Sequence, residues 1–140
     1  MKKTMDMNLQ LKDSAAVTAT AAAQVSGAAK VIDLGAGRVD AKVINNVTAI
    51  NNTAAANKYT LTLQGSNTAD MSTGNVTLAK MELGHATALG EAARSTGVWE
   101  QPFTNELNGT VYRYVRQYIT IAGSPVSITH EAWIAKSEGN

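Results

Sequence analysis

Apolar and polar residues alternate along much of this chain, and a period of two sets successive apolar residues on one face of an extended strand. Near the start, Met5, Met7, Leu9 and Leu11 alternate with Asp6, Asn8 and Gln10, which predicts a half-buried strand or an extended arm. Residues 59–64 (YTLTLQ) put Tyr59, Leu61 and Leu63 on one face and Thr60, Thr62 and Gln64 on the other. In residues 75–83 the apolar phase moves from Val76 and Leu78 to Met81 and Leu83, a shift that predicts a β-bulge near Ala79 and Lys80. Residues 111–121 divide most sharply. Tyr112, Tyr114, Arg116, Tyr118 and Thr120 share one face, and Val111, Arg113, Val115, Gln117, Ile119 and Ile121 share the other. Periodicity alone does not choose which of those faces is buried.

Turn chemistry separates these stretches. Ser26 and Gly27 break the chain, and a β-branched run over residues 30–34 closes at Gly35, Ala36 and Gly37. Residues 15–24 are rich in alanine, but Val17, Thr18 and Thr20 favour a strand. Residues 43–57 carry paired asparagines around Val47 and Ile50, and asparagine side chains bond nearby backbone, so a strand ending in a surface loop is expected. Residues 65–74 have a loop composition. Pro102 cannot donate to a ladder and demotes the stretch holding Trp99 and Phe103 to an edge strand. Asn108-Gly109 is a strong hairpin signal, and Gly123-Ser124-Pro125 turns the chain into a last strand over residues 126–135. Helical character is confined to residues 86–94, where Gly90 weakens it. The expected fold is all-β, a jelly-roll-like β-sandwich of about eight strands with at most one or two short helices. Residues 1–13 are expected to form an N-terminal arm or edge strand, and residues 14–140 the single domain.

Composition narrows the function. The chain has 140 residues, 44% hydrophobic and 16% charged, with 12 Lys and Arg against 11 Asp and Glu. That supports one domain with a real core. A net charge of +1 argues against electrostatic nucleic-acid binding, which needs a basic stripe to neutralise phosphates. Cys is absent, which excludes a disulfide framework and a thiolate metal site. Asp6, Asn8, Gln10, Lys12 and Asp13 interrupt any apolar region of a secretory signal, so export by that route is not expected. The weakly polar run over residues 19–29 falls far short of the ~20 residues a membrane helix requires, and a soluble protein is expected.

Catalytic chemistry finds little support. Residues 31–37 (VIDLGAG) resemble the glycine loop of nucleotide-methyl-donor methyltransferases, in which a strand runs into a turn so that backbone approaches the cofactor. Val39 stands where a small residue belongs, Asp40 where a dinucleotide fingerprint has its third glycine, and no amphipathic crossover helix follows. A turn without ligand is expected. Glu82 and His85 have a Glu-x-x-His spacing, but a dimetal carboxylate site needs a second pair and none exists. His130 and Glu131 are adjacent, hence on opposite faces of a strand. Both histidines are expected at the surface or an interface. Four Asn-x-Ser/Thr sequons, at Asn46, Asn51, Asn75 and Asn108, are expected by chance in so Asn- and Thr-rich a chain. No catalytic, cofactor-binding or metal-ligating residues are expected, and the chain is not read as an enzyme.

Four blocks in order carry a family resemblance: residues 9–20 (LQLKDSAAVTAT), 31–35 (VIDLG), 59–67 (YTLTLQGSN) and 112–123 (YRYVRQYITIAG). With this order and spacing the chain resembles the capsid cement proteins related to those of Bordetella phage, a jelly-roll family that decorates and staples phage shells. The resemblance implies a non-enzymatic virion protein, assembled in the host cytoplasm, that binds the assembled major capsid protein at the outer capsid surface. It brings no catalytic residues and no cofactor. A staple must grip neighbouring capsomers, so self-association is expected, a homodimer before a trimer. The interface candidates are Met5, Met7, Leu9 and Leu11 in the arm, Trp99 and Phe103, and Tyr112, Tyr114, Arg116 and Tyr118. Two alternatives stay open: a β-sandwich recognition module for glycans or surfaces, using Trp99, Trp133 and Tyr112 as platforms, and an enzyme using the glycine turn after Leu34.

Overall fold

The alternating stretches become strands in the computed structural model, which describes residues 9–136; Met5 and Met7 lie outside the described residues. In chain order the strands are β1 (Gln10–Lys12), β2 (Ala16–Val17), β3 (Ala21–Ala22), β4 (Gln24–Val25), β5 (Ala28–Ala29), β6 (Ile32–Asp33) and β7 (Asp40–Ile50). Then follow β8 (Lys58–Ser66), β9 (Val76–Gly84), the single turn of helix α1 (Ala86–Leu89), β10 (Gly97–Thr104), β11 (Glu106–Leu107), β12 (Thr110–Val111), β13 (Tyr114–Ala122) and β14 (Ile128–Lys136).

Two antiparallel sheets face each other. Sheet 1 has the order β1-β14-β7-β10 with β2 also on β14, and sheet 2 has the order β3-β13-β8-β9 with β6 also on β13. The pairing is nested: β8 pairs with β9, β7 with β10, β3 with β13 and β1 with β14. That is one long antiparallel hairpin, rolled up until β13 meets β8 and β14 meets β7. Such a double-sheet roll is a jelly roll, and the protein is an all-β sandwich.

Side-chain phase fills the space between the sheets. Sheet 2 contributes Tyr59, Leu61, Leu63, Leu83, Val115 and Ile119, and sheet 1 contributes Val43, Val47, Phe103, Ile128, Ala132 and Ile134. Full burial of one such Leu, Ile or Val stabilises by ~1.5–3 kcal/mol, so the alternation itself drives the closure. Phe103, an interface candidate from sequence, is 7% exposed and belongs to this core.

Residues 10–12 belong to the sandwich as well. β1 is an edge strand on β14, but its register shifts between Gln10 and Lys12, and all three of its residues are buried. Leu11 lies in the core and Leu9 packs against it, so neither is a free arm residue. The Lys12 ammonium donates to the carbonyls of Asp13 at 2.8 Å, Ala15 at 2.5 Å and His130 at 2.9 Å. Burial lowers its pKa despite Asp13 and Glu131 nearby. The division expected after residue 13 therefore falls within a stretch tied to sheet 1.

Three other expectations shift by small amounts. The bulge lies at Leu78, because Leu63 pairs with Ala79 and Gln64 with Thr77. The first asparagine pair does not turn the chain; β7 runs through Asn45 and Asn46 to Ile50. The helix shrinks to one turn, capped by His85, whose Nδ1 accepts the Thr87 N–H at 3.1 Å, and stopped by Gly90 at φ 71°. Pro102 does sit in an edge strand, and Asn108 and Gly109 turn the β11–β12 hairpin with φ 51° and 83°.

A polar chain crosses the interior. His130 Nε2 lies 2.8 Å from Gln117 Oε1, Gln117 Nε2 donates to Asn45 Oδ1 at 2.8 Å, Asn45 Nδ2 donates to Gln101 Oε1 at 3.1 Å, and Gln101 Nε2 donates to the Leu61 carbonyl at 3.3 Å. The four side chains are at most 5% exposed. Because Gln117 Oε1 is an acceptor, His130 donates from Nε2 and leaves Nδ1 as a bare, buried lone pair. His130 is thus interior, not at the surface or an interface as expected, because it shares the inward phase of Ile128, Ala132 and Ile134. Burial, with Lys12 adding repulsion, lowers its pKa to about 3.

Buried asparagines hold the ends of the roll. Asn105 Nδ2 donates to the carbonyls of Gly37 and Tyr112 and its Oδ1 accepts the Val39 N–H. At the other end Tyr59 Oη donates to the Asn51 carbonyl at 2.6 Å and accepts the Ser127 N–H, while Asn57 Nδ2 donates to the carbonyls of Asn51 and Pro125.

Candidate interaction face

With Val115, Gln117 and Ile119 inside, β13 turns Tyr114, Arg116, Tyr118 and Thr120 outward. The register on β8 sets Arg116 beside Gln64, Tyr118 beside Thr62 and Thr120 beside Thr60. One strand further, Lys80 lies beside Thr62 and Glu82 beside Thr60. The result is a hydroxyl, amide and tyrosine surface on the outer side of sheet 2.

Its charged side chains are held in place. Arg113 donates from Nε to Asp33 Oδ1 at 2.7 Å and from Nη2 to Oδ2 at 2.9 Å, and lies 5.5 Å over the Tyr114 ring. The Arg113 hydrogen bond, with the Gly35 N–H, holds the Asp33 carboxyl below the usual carboxylate range, and Asp33 raises the pKa of Arg113. Arg116 donates from Nε to Gln64 Oε1 at 2.8 Å and lies 5.5 Å over the Tyr118 ring. Lys58 and Glu82 pair at 2.6 Å, and that contact lowers the Glu82 pKa. Stacking and hydrogen bonding restrict these long side chains, which reduces the entropy they lose when a partner arrives.

The remaining candidates are scattered. Tyr112 is half-buried at the entry to β13, with its N–H on the Asn105 carbonyl. Trp99 is half-buried on the edge strand β10 and donates from Nε1 to the Ser95 carbonyl at 3.0 Å. Trp133 is buried against Ile44 and Ala135, so it offers no stacking platform. The structure thus gathers Tyr114, Arg116 and Tyr118 on one face and leaves Trp99 on another sheet. Val98, beside Trp99, is the most exposed large apolar residue described, at 55%.

Elsewhere the surface offers modest features. A cleft of about 240 Å³ lies between Lys12, Asp13 and the crossover from β2 to β3, half of its lining residues being alanines. Asp13 accepts the N–H groups of Ser26 and Ala15, which hold its carboxyl below the usual range. The glycine stretch expected to turn does so: Gly35 at φ 86° donates its N–H to Asp33 Oδ1. Glu82 is on β9 and His85 caps α1, so they share no helix face. Among the described residues no group of three His, Asp or Glu converges as a metal site, and no helix is long and apolar enough to cross a membrane.

Searches against protein-family models and curated proteins find no match to this chain.

Proposed function

We propose that the protein is a structural virion component, a capsid cement protein of a tailed phage that binds the assembled major capsid protein and staples neighbouring capsomers. The observation that carries this reading is the outward Tyr114, Arg116 and Tyr118 stripe, on a sheet whose other side packs into the core. Tyrosine and arginine are the residue types enriched in interface anchors, and here they are pre-oriented on rigid strands. The jelly roll supports it as a fold used in viral shells, and the four resemblance blocks fall on β1 to β2, β6, β8 and β13. Because jelly rolls also serve lectins and enzymes, the fold by itself does not choose the function.

In this reading the protein is not an enzyme, takes no cofactor, contacts neither nucleic acid nor membrane, and sits on the outer capsid surface. It acts as a homo-oligomer, a dimer before a trimer, because two grips on adjacent capsomers let modest contacts sum over many symmetric copies. Co-sedimentation with assembled shells and with unassembled capsid subunits is the test. Retention on shells alone is the expected result, and replacing Tyr114 and Tyr118 with Ala is expected to weaken it roughly thirtyfold, about 2 kcal/mol. Equal binding to free subunits, or none to shells, contradicts the reading; a single-copy mass by light scattering contradicts the oligomer.

A further inference from the structure

Two arginines lie over tyrosine rings, Arg113 just before β13, where the strand alternation has not begun, and Arg116 on the outer side of sheet 2, and they differ in one respect. Arg113, over Tyr114, closes its guanidinium fork on the Asp33 carboxylate through Nε and Nη2. Arg116, over Tyr118 at the same 5.5 Å, is held only at Nε, by the neutral Gln64 amide. Neither Nη1 nor Nη2 of Arg116 has a partner among the described residues. A guanidinium anchored at Nε over a tyrosine ring, with both terminal amino groups open, matches the two oxygens of a carboxylate.

The surrounding charges point the same way. Lys80 lies in the same cross-strand row as Tyr118, through Thr62, at roughly 10 Å by the spacing of adjacent strands. It forms no ion pair among the described residues. The carboxylates of this face are engaged: Asp33 by Arg113, and Glu82 by Lys58 with Lys80 adding a longer-range attraction. Arg116 and Lys80 are therefore two cations of this face with no ion pair among the described residues, and Arg113 shows what such an arginine binds when an acid is at hand. Two uncompensated cations on a chain of net charge +1 are too few to follow a phosphodiester backbone.

We propose that Arg116, with Tyr118 and Lys80, is the docking point for an Asp or Glu side chain of a partner protein, so that the surface meeting sheet 2 is acidic. This rests on the shell-binding reading for the identity of the partner, but the chemistry is testable without it. A nuclear magnetic resonance titration of the whole protein uses a short glutamate-rich peptide, its glutamine counterpart and a short DNA duplex as probes. The glutamate peptide is expected to shift the Arg116 side-chain and Tyr118 ring signals, and the glutamine peptide to leave them in place. Arg116→Gln is expected to abolish the response. Arg116→Lys, which keeps the charge and loses the fork, is expected to weaken it roughly tenfold. Lys80→Gln is expected to weaken it about threefold, and because Arg116 and Lys80 lie on the solvent side, the amide spectrum of the interior serves as the check on folding. An equal response to the glutamine peptide, an unchanged response in Arg116→Gln or tighter binding to DNA overturns the proposal. Shell binding that survives Arg116→Gln overturns this docking point and leaves the shell reading standing. A response to the glutamate peptide at Arg116 in a protein that binds no shell overturns the shell reading and supports the docking point.

Discussion

At the scale of single residues, polar side chains inside the sandwich set what the outside can do. Gln117 links His130 to Asn45, and its place on the inward phase of β13 puts Tyr114, Arg116 and Tyr118 outside. Gln117→Met is expected to destabilise by roughly 3 kcal/mol in urea unfolding, because it strands the His130 Nε2 donor and the Asn45 Oδ1 acceptor. Tyr118→Ala on the outer face is expected to cost well under half of that. His130 adds a pH dependence whose sign follows from its pKa, lowered from 6.5 to about 3. Above pH 6.5 both folded and unfolded chains hold it neutral; below, the unfolded chain gains the proton and the folded chain does not. Unfolding free energy is therefore expected to fall as pH drops from 6.5 towards 3, by up to about 5 kcal/mol. Chemical unfolding between pH 7 and pH 4.5 reads this before most carboxylates titrate; a flat profile contradicts the buried neutral imidazole. The interior chain had a signal in the sequence, since Asn45 stands between Val43 and Val47, Gln117 between Val115 and Ile119, and His130 between Ile128 and Ala132 at core-phase spacing. Composition and turn preference masked it, as asparagine pairs and lone histidines are read first as surface residues.

At the scale of elements, local pattern decided the long strands and topology decided the short ones. Tyr59, Leu61 and Leu63 face inward as their alternation indicates, and Asn108-Gly109 makes the hairpin its backbone preference favours. In the alanine-rich residues 15–29 the strand signal rests on Val17, Thr18 and Thr20 alone and does not divide the stretch. The roll carries it from β2 on sheet 1 to β3 on sheet 2, a crossing that alanine neither favours nor resists, and β4 and β5 then pair with each other as a separate two-stranded hairpin. The N-terminal alternation was legible as an edge strand, but not the depth of Leu11, which depends on the shift in β1. Leu11→Ala is expected to cost about 3 kcal/mol in thermal or urea unfolding, as for other fully buried leucines. A loss under ~1 kcal/mol, the range of surface substitutions, contradicts a core role for β1. Removal of residues 1–13 is accordingly expected to unfold the domain, not to trim an arm.

At the scale of the whole molecule, the nested pairing of a rolled hairpin leaves two outer sheet faces and gives them different characters. The outer side of sheet 1 holds the buried Ile44, Trp133 and Ala135 cluster, and the outer side of sheet 2 presents the tyrosines and arginines in half-exposed, stacked form. Sequence periodicity identified the stripe but could not choose its side, because only the opposing sheet decides which phase is covered. In a capsid cement protein of the kind proposed, this face, with Arg116 and Lys80, is the one turned towards the shell. An electron-microscopy density map of tailed-phage shells decorated with this protein tests that most directly. The expected map has the jelly roll at boundaries between capsomers, with the outer side of sheet 2 against the capsid and Arg116 opposite an acidic side chain. Shells that bind no copies, or bound copies with Tyr114, Arg116 and Tyr118 facing solvent, would contradict it.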